Sequence, residues 1–175
     1  MGLRLGKNMK EFKNLSSKYK IQVLTRDHLE VILDLYRSNP LYFQHCPPEP
    51  SLESVREDMV ELPAGKTKKD KFYIGFWDDK ELVAILDFVL SYPEMKTIFI
   101  GLFMVHQTYQ GKGLGSEIIK EAFQVFSKDY QRVRLAYVKG NSQAQYFWEK
   151  QGFLPIGKVV PKANYCVVLM EKVLE

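Results

Sequence analysis

The residues with the clearest capacity for chemistry form a glycine-rich segment, residues 110–116, with the sequence Gln-Gly-Lys-Gly-Leu-Gly-Ser. An apolar stretch precedes this segment and a stretch with helical apolar spacing follows it, which predicts a strand, a tight turn and a helix. The glycines let the backbone approach a ligand without a Cβ atom in the way, and the first N–H groups of the helix lack intrahelical partners. These groups, the helix dipole and the charge of Lys112 together attract an anion. The segment therefore predicts a phosphate-binding turn.

The spacing of the glycines differs from that of the two commonest nucleotide-binding motifs. A P-loop has Lys followed by Ser or Thr at the start of the helix, whereas Lys112 precedes two of the glycines. The dinucleotide fingerprint is G-x-G-x-x-G after a first strand, whereas this chain has G-x-G-x-G late in its length. The segment fits Gln-x-x-Gly-x-Gly, at Gln110, Gly113 and Gly115. Taken alone, it also fits an ordinary glycine turn that caps a helix.

A second motif follows within the next forty residues or so of the chain. Residues 132–138 carry apolar side chains at every second position, which predicts a strand. Asn141 then opens a short stretch with helical character that ends in a Gly-Phe step, at Gly152 and Phe153. The two motifs, in this order and separated by one strand, resemble the signatures of the GNAT N-acetyltransferase family. The resemblance covers about residues 20–174.

The resemblance implies acetyl-coenzyme A (acetyl-CoA) as a co-substrate and no metal. The pyrophosphate of acetyl-CoA would bind a turn made by Gln110, Gly111, Lys112, Gly113, Leu114, Gly115 and Ser116. Its pantetheine arm would enter between two splayed strands and bond to the backbone around Met104 and Val105. Asn141 would support this arm through its amide. The alternative role of Asn141 is to cap its own helix, and the two roles are compatible.

The resemblance also implies direct transfer of the acetyl group to an amine, so neither Cys46 nor Cys166 needs to act as a nucleophile. An amine with a lysine-like pKa of about 10.4 costs about 4.6 kcal/mol to deprotonate at pH 7, so a base is useful. The glutamate usual in the family on the strand before the turn is absent from residues 97–105. Asp87 stands alone in an apolar stretch, where an unpaired charge is costly, and is the candidate that holds the amine or accepts its proton. The structural alternative is an ion pair or hydrogen bond with a Lys or Arg.

The position of the general acid departs from the family pattern. Trp148 stands where the family often has a tyrosine, and an indole N–H cannot act as an acid near neutral pH. Tyr146 is the candidate substitute, although on an ideal helix it points about 160° away from Trp148. The alternative is that Tyr146 is a core aromatic residue. A thiolate with a pKa near 8.5 can also leave without an acid and take its proton from water.

The elements that would position these residues alternate between strands and helices. Apolar spacing predicts strands at 21–24, 72–77, 81–90, 97–105, 132–138, 153–160 and 165–173, and helices after residues 25, 51, 116 and 141. We expect an α/β fold with a mixed, mostly antiparallel central sheet, helices on both faces and splayed strands that form the acetyl-CoA cleft, as in the GNAT fold. In the GNAT family the two helices between the first and second strands usually frame the acceptor pocket, so the resemblance implies that the aromatic and proline-rich segment 41–50 selects the acceptor. Its alternative role is that of a packed loop over the core.

Length and composition fit one domain. A chain of 175 residues with 46% hydrophobic residues can fill one α/β core, and we predict a basic arm or extra helix at 1–20 and a GNAT domain at 21–175. The net charge of +4 is too mild to indicate a nucleic-acid partner by itself. Two cysteines, no apolar run long enough to span a membrane and no signal peptide predict a cytoplasmic protein without a membrane partner.

Three hypotheses of function follow, each from a different class. The first is an acetyl-CoA-dependent N-acetyltransferase acting on an amine of a small molecule or peptide. The second is a non-catalytic acyl-CoA-binding sensor or partner module, which the missing strand glutamate and Trp148 favour. The third is a nucleic-acid-associated protein that uses the basic residues within 4–20. The acceptor amine, the acyl length and the oligomeric state stay open, although many members of the family pair as homodimers.

Overall fold

One mixed sheet spans the computed structural model, which describes residue 10 and residues 12–175. Its strands are β1 (Lys20–Val23), β2 (Lys71–Asp78), β3 (Glu81–Leu90), β4 (Thr97–Val105), β5 (Arg132–Val138), β6 (Leu154–Pro161) and β7 (Cys166–Val173). They lie in the order β1-β2-β3-β4-β5-β7-β6. Neighbours pair antiparallel except β4 and β5, which pair parallel. The predicted mixed, mostly antiparallel sheet is confirmed.

In the described part of the chain, five α-helices lie in the segments that connect the strands. They are α1 (Leu29–Arg37), α2 (Pro40–His45), α3 (Leu52–Val60), α4 (Leu114–Phe126) and α5 (Ser142–Lys150). Ser51 caps α3, since its hydroxyl accepts a hydrogen bond from the Ser54 N–H at 3.1 Å. The short helix α2 was not predicted: Pro40 occupies its first turn, where a missing N–H costs nothing, and it ends before Pro47.

Helices cover both faces of the sheet, as predicted. On one face, α4 packs the side chains of Ile119, Phe123 and Phe126 into a cluster with the strands at the centre of the sheet. On the other face, α1 and α3 pack against β2, β3 and β4. Each large side chain fully removed from water in these clusters contributes about 1.5–3 kcal/mol. No helix formed by the described residues combines the length and apolar character needed to cross a membrane.

The segment before β1 packs against the sheet where the structure describes it. Phe12, Leu15 and Tyr19 are buried in the same cluster as α4, and the Phe12 ring lies 4.8 Å from the ring of Phe72. The N–H and hydroxyl of Ser17 donate to the carboxylate of Glu121 in α4, at 2.7 and 2.6 Å. Residues 1–9 and 11, with part of the predicted basic arm, lie outside the described residues. The predicted domain boundary at residue 21 stays a prediction.

Replacing Phe12 with Ala tests whether this segment belongs to the folded core. The side chain is 6% exposed, so its removal leaves a cavity, and we expect the free energy of unfolding to fall by about 3–5 kcal/mol. The neighbouring exposed substitution Lys13→Ala is the control, with an expected change within about 0.5 kcal/mol. Urea denaturation followed by circular dichroism measures both. Equal midpoints for the two variants would show that residues before β1 form a solvated arm.

Candidate active site

A cleft opens where β4 and β5 part. The two strands pair over four residues only, from Thr97 with Arg132 to Ile100 with Leu135. Beyond this point Gly101 forms a bulge, because Asp87 of β3 pairs with Leu102 while Phe88 pairs with Ile100. A bulge bends its strand and increases the local twist. The resulting cleft has a volume of about 560 Å³.

Most of the predicted cofactor-binding residues line this cleft. They are Met104, Val105, Gln110, Gly111, Gly113, Leu114, Gly115, Ser116 and Asn141. Lys112 belongs to the same turn but is exposed and lies outside the lining. The sheet and the glycine-rich turn therefore bring two distant parts of the sequence to one place.

The glycine-rich turn presents bare backbone to the cleft. Gly111 and Gly113 have φ of 77° and 78°, in the left-handed region that favours glycine, and a Cβ on either would meet no atom within 4 Å. Helix α4 begins at Leu114, three residues before the predicted start, and the Glu117 N–H donates to the Gly113 carbonyl at 3.1 Å. The N–H groups of the first turn thus face the cleft without intrahelical partners, which is the arrangement that binds anions.

Asn141 makes the helix cap predicted for it, and its predicted contact with the pantetheine arm stays a prediction. Its Oδ1 accepts a hydrogen bond from the Ala144 N–H at 3.1 Å, so it caps α5. The residue is 5% exposed, and its Nδ2 donates no hydrogen bond to any described residue. The amide nitrogen therefore remains available to a ligand in the cleft.

Asp87 lies behind the bulge. It forms an ion pair with Lys71, which is the structural role that the sequence left open as the alternative to catalysis. Lys71 donates a hydrogen bond from Nζ to Oδ2 at 3.0 Å, and Oδ1 lies 2.9 Å from the same Nζ without a hydrogen bond of regular geometry. A Cβ built on Gly101 would lie 2.8 Å from Oδ2, so the carboxylate touches the wall of the cleft from behind. Burial raises the pKa of Asp87 to about 6, although Lys71 opposes the shift. Asp87 itself lies outside the residues that line the cleft.

A buried hydrogen-bond network lies on the same face of the sheet as Asp87. Tyr73 of β2 pairs with Asp87 across the two strands. The hydroxyls of Tyr73 and Tyr36 are 2.6 Å apart. Tyr36 donates to Asp58 Oδ2 at 2.8 Å. Burial raises the pKa of both tyrosines well above the usual value and also raises that of Asp58. The sequence places Tyr36 on an apolar helix stripe, and no local signal indicates its polar partner.

The structure does not bring Tyr146 to the cleft. Its side chain is 69% exposed, so it is neither a cleft residue nor a core aromatic. Trp148 is buried and packs against the rings of Phe103, Phe147 and Phe153, at 6.0, 4.9 and 5.3 Å between centroids. Because Trp148 also lines the cleft, it serves as packing at the cleft wall.

Three other tyrosines line the cleft and were not singled out from the sequence. They are Tyr42, Tyr109 and Tyr137. Tyr109 donates a hydrogen bond to Glu81, which raises its pKa to about 12. Burial raises the pKa of Tyr42 and of Tyr137. Within the described residues, no group of three or more His, Cys, Asp or Glu side chains is placed to hold a metal ion.

Solved structures with the same fold are numerous. An acetyltransferase from Thermus thermophilus shares 22% identity at a TM-score of 0.72, with 90% of this chain and 97% of that chain covered. Spermidine N-acetyltransferase from Vibrio cholerae, solved with CoA and spermine, shares 17% identity at a TM-score of 0.66, with 91% and 97% covered. The ribosomal-protein-S18-alanine N-acetyltransferase from Escherichia coli shares 12% identity at a TM-score of 0.62, with 89% and 94% covered. At these identities the likeness shows the fold alone.

Comparison of the sequence with family models identifies the family of this chain. A search of curated proteins finds no match. The sequence model of the acetyltransferase (GNAT) family matches residues 30–153, which contain β2 to β5, the glycine-rich turn, α5 and the Gly-Phe step. This match spans more than half of the chain and includes both motifs on which the resemblance rests. The chain belongs to the acetyltransferase (GNAT) family.

Proposed function

We propose that the protein transfers an acetyl group from acetyl-CoA directly to an amine of a small molecule or peptide. The observation that carries the proposal is the cleft between β4 and β5, which has the glycine-rich turn at its mouth and Asp87 behind its wall. Membership of an acetyltransferase family supports acyl transfer, and the solved complex of a fold relative with CoA and spermine supports an amine acceptor.

The donor would lie along the cleft from the turn to the bulge. Its pyrophosphate would accept hydrogen bonds from the free N–H groups at the start of α4, where the helix dipole adds roughly 0.3–1 kcal/mol. The pantetheine arm would run along the edge of β4 near Met104 and Val105, which β5 leaves unpaired. Asn141 would donate from its free Nδ2 to this arm. The thioester would then reach the bulge at Gly101.

Asp87 would assist the acceptor amine. At neutral pH a carboxylate with a pKa near 6 is mostly ionised, so it attracts an ammonium group and can accept a proton as the C–N bond forms. The amine nitrogen attacks the thioester carbon, the C–S bond breaks, and the CoA thiolate takes a proton from water. The amine proton passes to Asp87 or to water. No covalent enzyme intermediate is needed.

The second candidate function is a non-catalytic acyl-CoA-binding module. The specific observations in its favour are that Lys71 already pairs with Asp87 and that Tyr146 lies away from the cleft. Binding of CoA is common to both candidates, so only turnover separates them. If the native protein binds acetyl-CoA and no amine in a broad panel releases thiol, the binding module is the better description.

We also propose a cytoplasmic location and a domain that extends from residue 21 to the end of the chain. Cys46 and Cys166 are both free thiols, which fits a reducing compartment. The packing of residues 12–19 against α4 supports an extra segment joined to this domain rather than a separate unit.

Gly113→Glu tests the phosphate site. The substitution adds a carboxylate at the mouth of the cradle, where it repels a pyrophosphate, and we expect loss of CoA binding and of turnover. Gly157→Glu is the matched control, because Gly157 also has a positive φ, of 76°, and open surroundings, but lies in β6 away from the cleft. Isothermal titration with CoA measures both. Native affinity in Gly113→Glu would refute the phosphate site.

The pH dependence of turnover tests Asp87. If the ionised carboxylate and the neutral amine are both required, log kcat/KM rises with a slope of two below about pH 6. It rises with a slope of one from there to the pKa of the amine. In Asp87→Asn we expect a slope of one throughout and a rate about 10²–10⁴-fold lower. A native profile without a break near pH 6 would contradict a role for the Asp87 carboxylate.

The control for this experiment is the double variant Asp87→Asn/Lys71→Met. Asp87→Asn alone leaves the buried Lys71 without a partner and is expected to cost about 3–5 kcal/mol of stability. The double variant removes both charges and should recover most of that loss. If it also recovers the rate, Asp87 serves the fold and not the chemistry.

A further inference from the structure

Asn39 stands between α1 and α2, and its side chain makes no hydrogen bond that caps the start of α2. It occupies the N-cap position of α2, where Asn is among the preferred residues because its side chain can accept from the N–H groups of the first turn. Here the side chain turns away from α2. An explanation for Asn39 must therefore come from the groups that it does contact.

One part of these groups belongs to the end of α1, because Asn39 Nδ2 donates to the Leu35 carbonyl at 3.0 Å and to the Ser38 hydroxyl at 3.1 Å. The other part belongs to the cofactor cleft. Asn39 donates from Nδ2 to the Val105 carbonyl at 3.1 Å, and its Oδ1 accepts from Gln110 Nε2 at 2.6 Å. Gln110 Nε2 also donates to the Val105 carbonyl, at 2.7 Å. Asn39, Val105 and Gln110 thus form a closed triangle of hydrogen bonds, which we call the Asn39 clamp. It joins the end of α1, the end of β4 and the first residue of the glycine-rich turn.

The clamp satisfies a carbonyl that the sheet leaves without a strand partner. Val105 is the last residue of β4, well beyond the point where pairing with β5 ends. Its carbonyl accepts from two side chains instead of from a neighbouring strand. A second link lies beside the clamp, because the Ser38 hydroxyl accepts from the Gln107 N–H at 3.1 Å. The end of α1 therefore holds both the end of β4 and the turn that follows it.

Helix α2 begins immediately after Asn39 and lies beside the cleft. Pro40, Leu41 and Tyr42 contribute to its lining. A movement of the glycine-rich turn would shift Gln110, and the clamp would pass that shift to Asn39 and to the start of α2. Two sites that share one hydrogen-bonded element are energetically coupled when each ligand favours the same arrangement of that element.

We propose that Asn39 is a positioning residue that couples the glycine-rich turn to α2, so that CoA binding fixes α2 on the acceptor side of the cleft. The inference rests on the proposed function, since it takes CoA as the ligand of the turn. The clamp holds Gln110 and the Val105 carbonyl in the arrangement that receives CoA, and it makes the order of α2 depend on that arrangement.

Amide hydrogen exchange with and without CoA tests the coupling directly and needs no knowledge of the acceptor. In the native protein we expect CoA to slow exchange both in the turn, residues 113–116, and in α2 with its C-cap Cys46, residues 41–46. In Asn39→Ala we expect the turn to be protected at saturating CoA while α2 is not. Asn14→Ala is the matched control, because Asn14 is exposed and distant in sequence from the cleft residues.

Titration calorimetry with CoA supplies a second readout. Asn39→Ala loses two hydrogen bonds of the clamp and is expected to raise the Kd for CoA about tenfold. Asn39→Asp can still accept from Gln110 but cannot donate to the Val105 carbonyl, so we expect it to be no better than Asn39→Ala. In the double variant Asn39→Ala/Gln110→Ala the two effects should be far from additive, since both residues act through one triangle.

The outcomes separate the coupling from the proposed function. If CoA binds and protects α2 equally in the native protein and in Asn39→Ala, the coupling is overturned while the cofactor site stands. Additive effects of Asn39→Ala and Gln110→Ala on the Kd for CoA would overturn the coupling as well. If the native protein binds no CoA, the proposed function fails, and the coupling built on it fails too.

Discussion

The end of the hydrogen-bonded ladder between β4 and β5 is the constraint on which the site depends. Had the parallel pairing continued beyond Ile100, the backbone groups of β4 would be used by β5 and no ligand could lie between the strands. Because it stops there, the backbone N–H and C=O groups of β4 that point away from β3 beyond Ile100 need another partner. The Val105 carbonyl finds its partners in the side chains of Asn39 and Gln110. The binding site is therefore the consequence of a sheet whose central pairing is incomplete.

The bulge at Gly101 connects this opening to the buried charge behind it. A residue with a Cβ at this position would lie 2.8 Å from the Asp87 carboxylate, so the absence of a side chain leaves room for the carboxylate against the wall of the cleft. The same bulge bends β4 away from β5. One glycine thus helps to open the cleft and lets an acidic group approach it. The tyrosine pair Tyr36 and Tyr73 adds neutral polar groups on that face, because burial raises the pKa of both and keeps their hydroxyls protonated.

Local sequence patterns predicted the parts of the site that are built from local structure. The turn and the cap at Asn141 depend on residues close in the chain, and both form, although α4 begins at Leu114, three residues earlier than predicted. The isolation of Asp87 in an apolar strand predicted a buried carboxylate with a partner, but its partner Lys71 is set by strand register.

The clamp at Asn39 joins residues that are 66 and 71 positions apart in the chain, a separation at which periodicity carries no information. Tyr146 was proposed only as a nearby substitute for the tyrosine that the family often has at the position of Trp148, and its exposure depends on how α5 packs.

The ion pair of Asp87 and its proposed role in amine capture are better seen as one arrangement than as alternatives. Removing a carboxylate from water favours its neutral form, and burial is the largest influence on the pKa of Asp87. Lys71 opposes that influence and holds the pKa near 6, so the carboxylate is charged at neutral pH. Without Lys71 the group would tend to be protonated there and could neither attract an ammonium ion nor accept its proton. A structural partner is thus the condition under which a buried acid beside the cleft can act as a base.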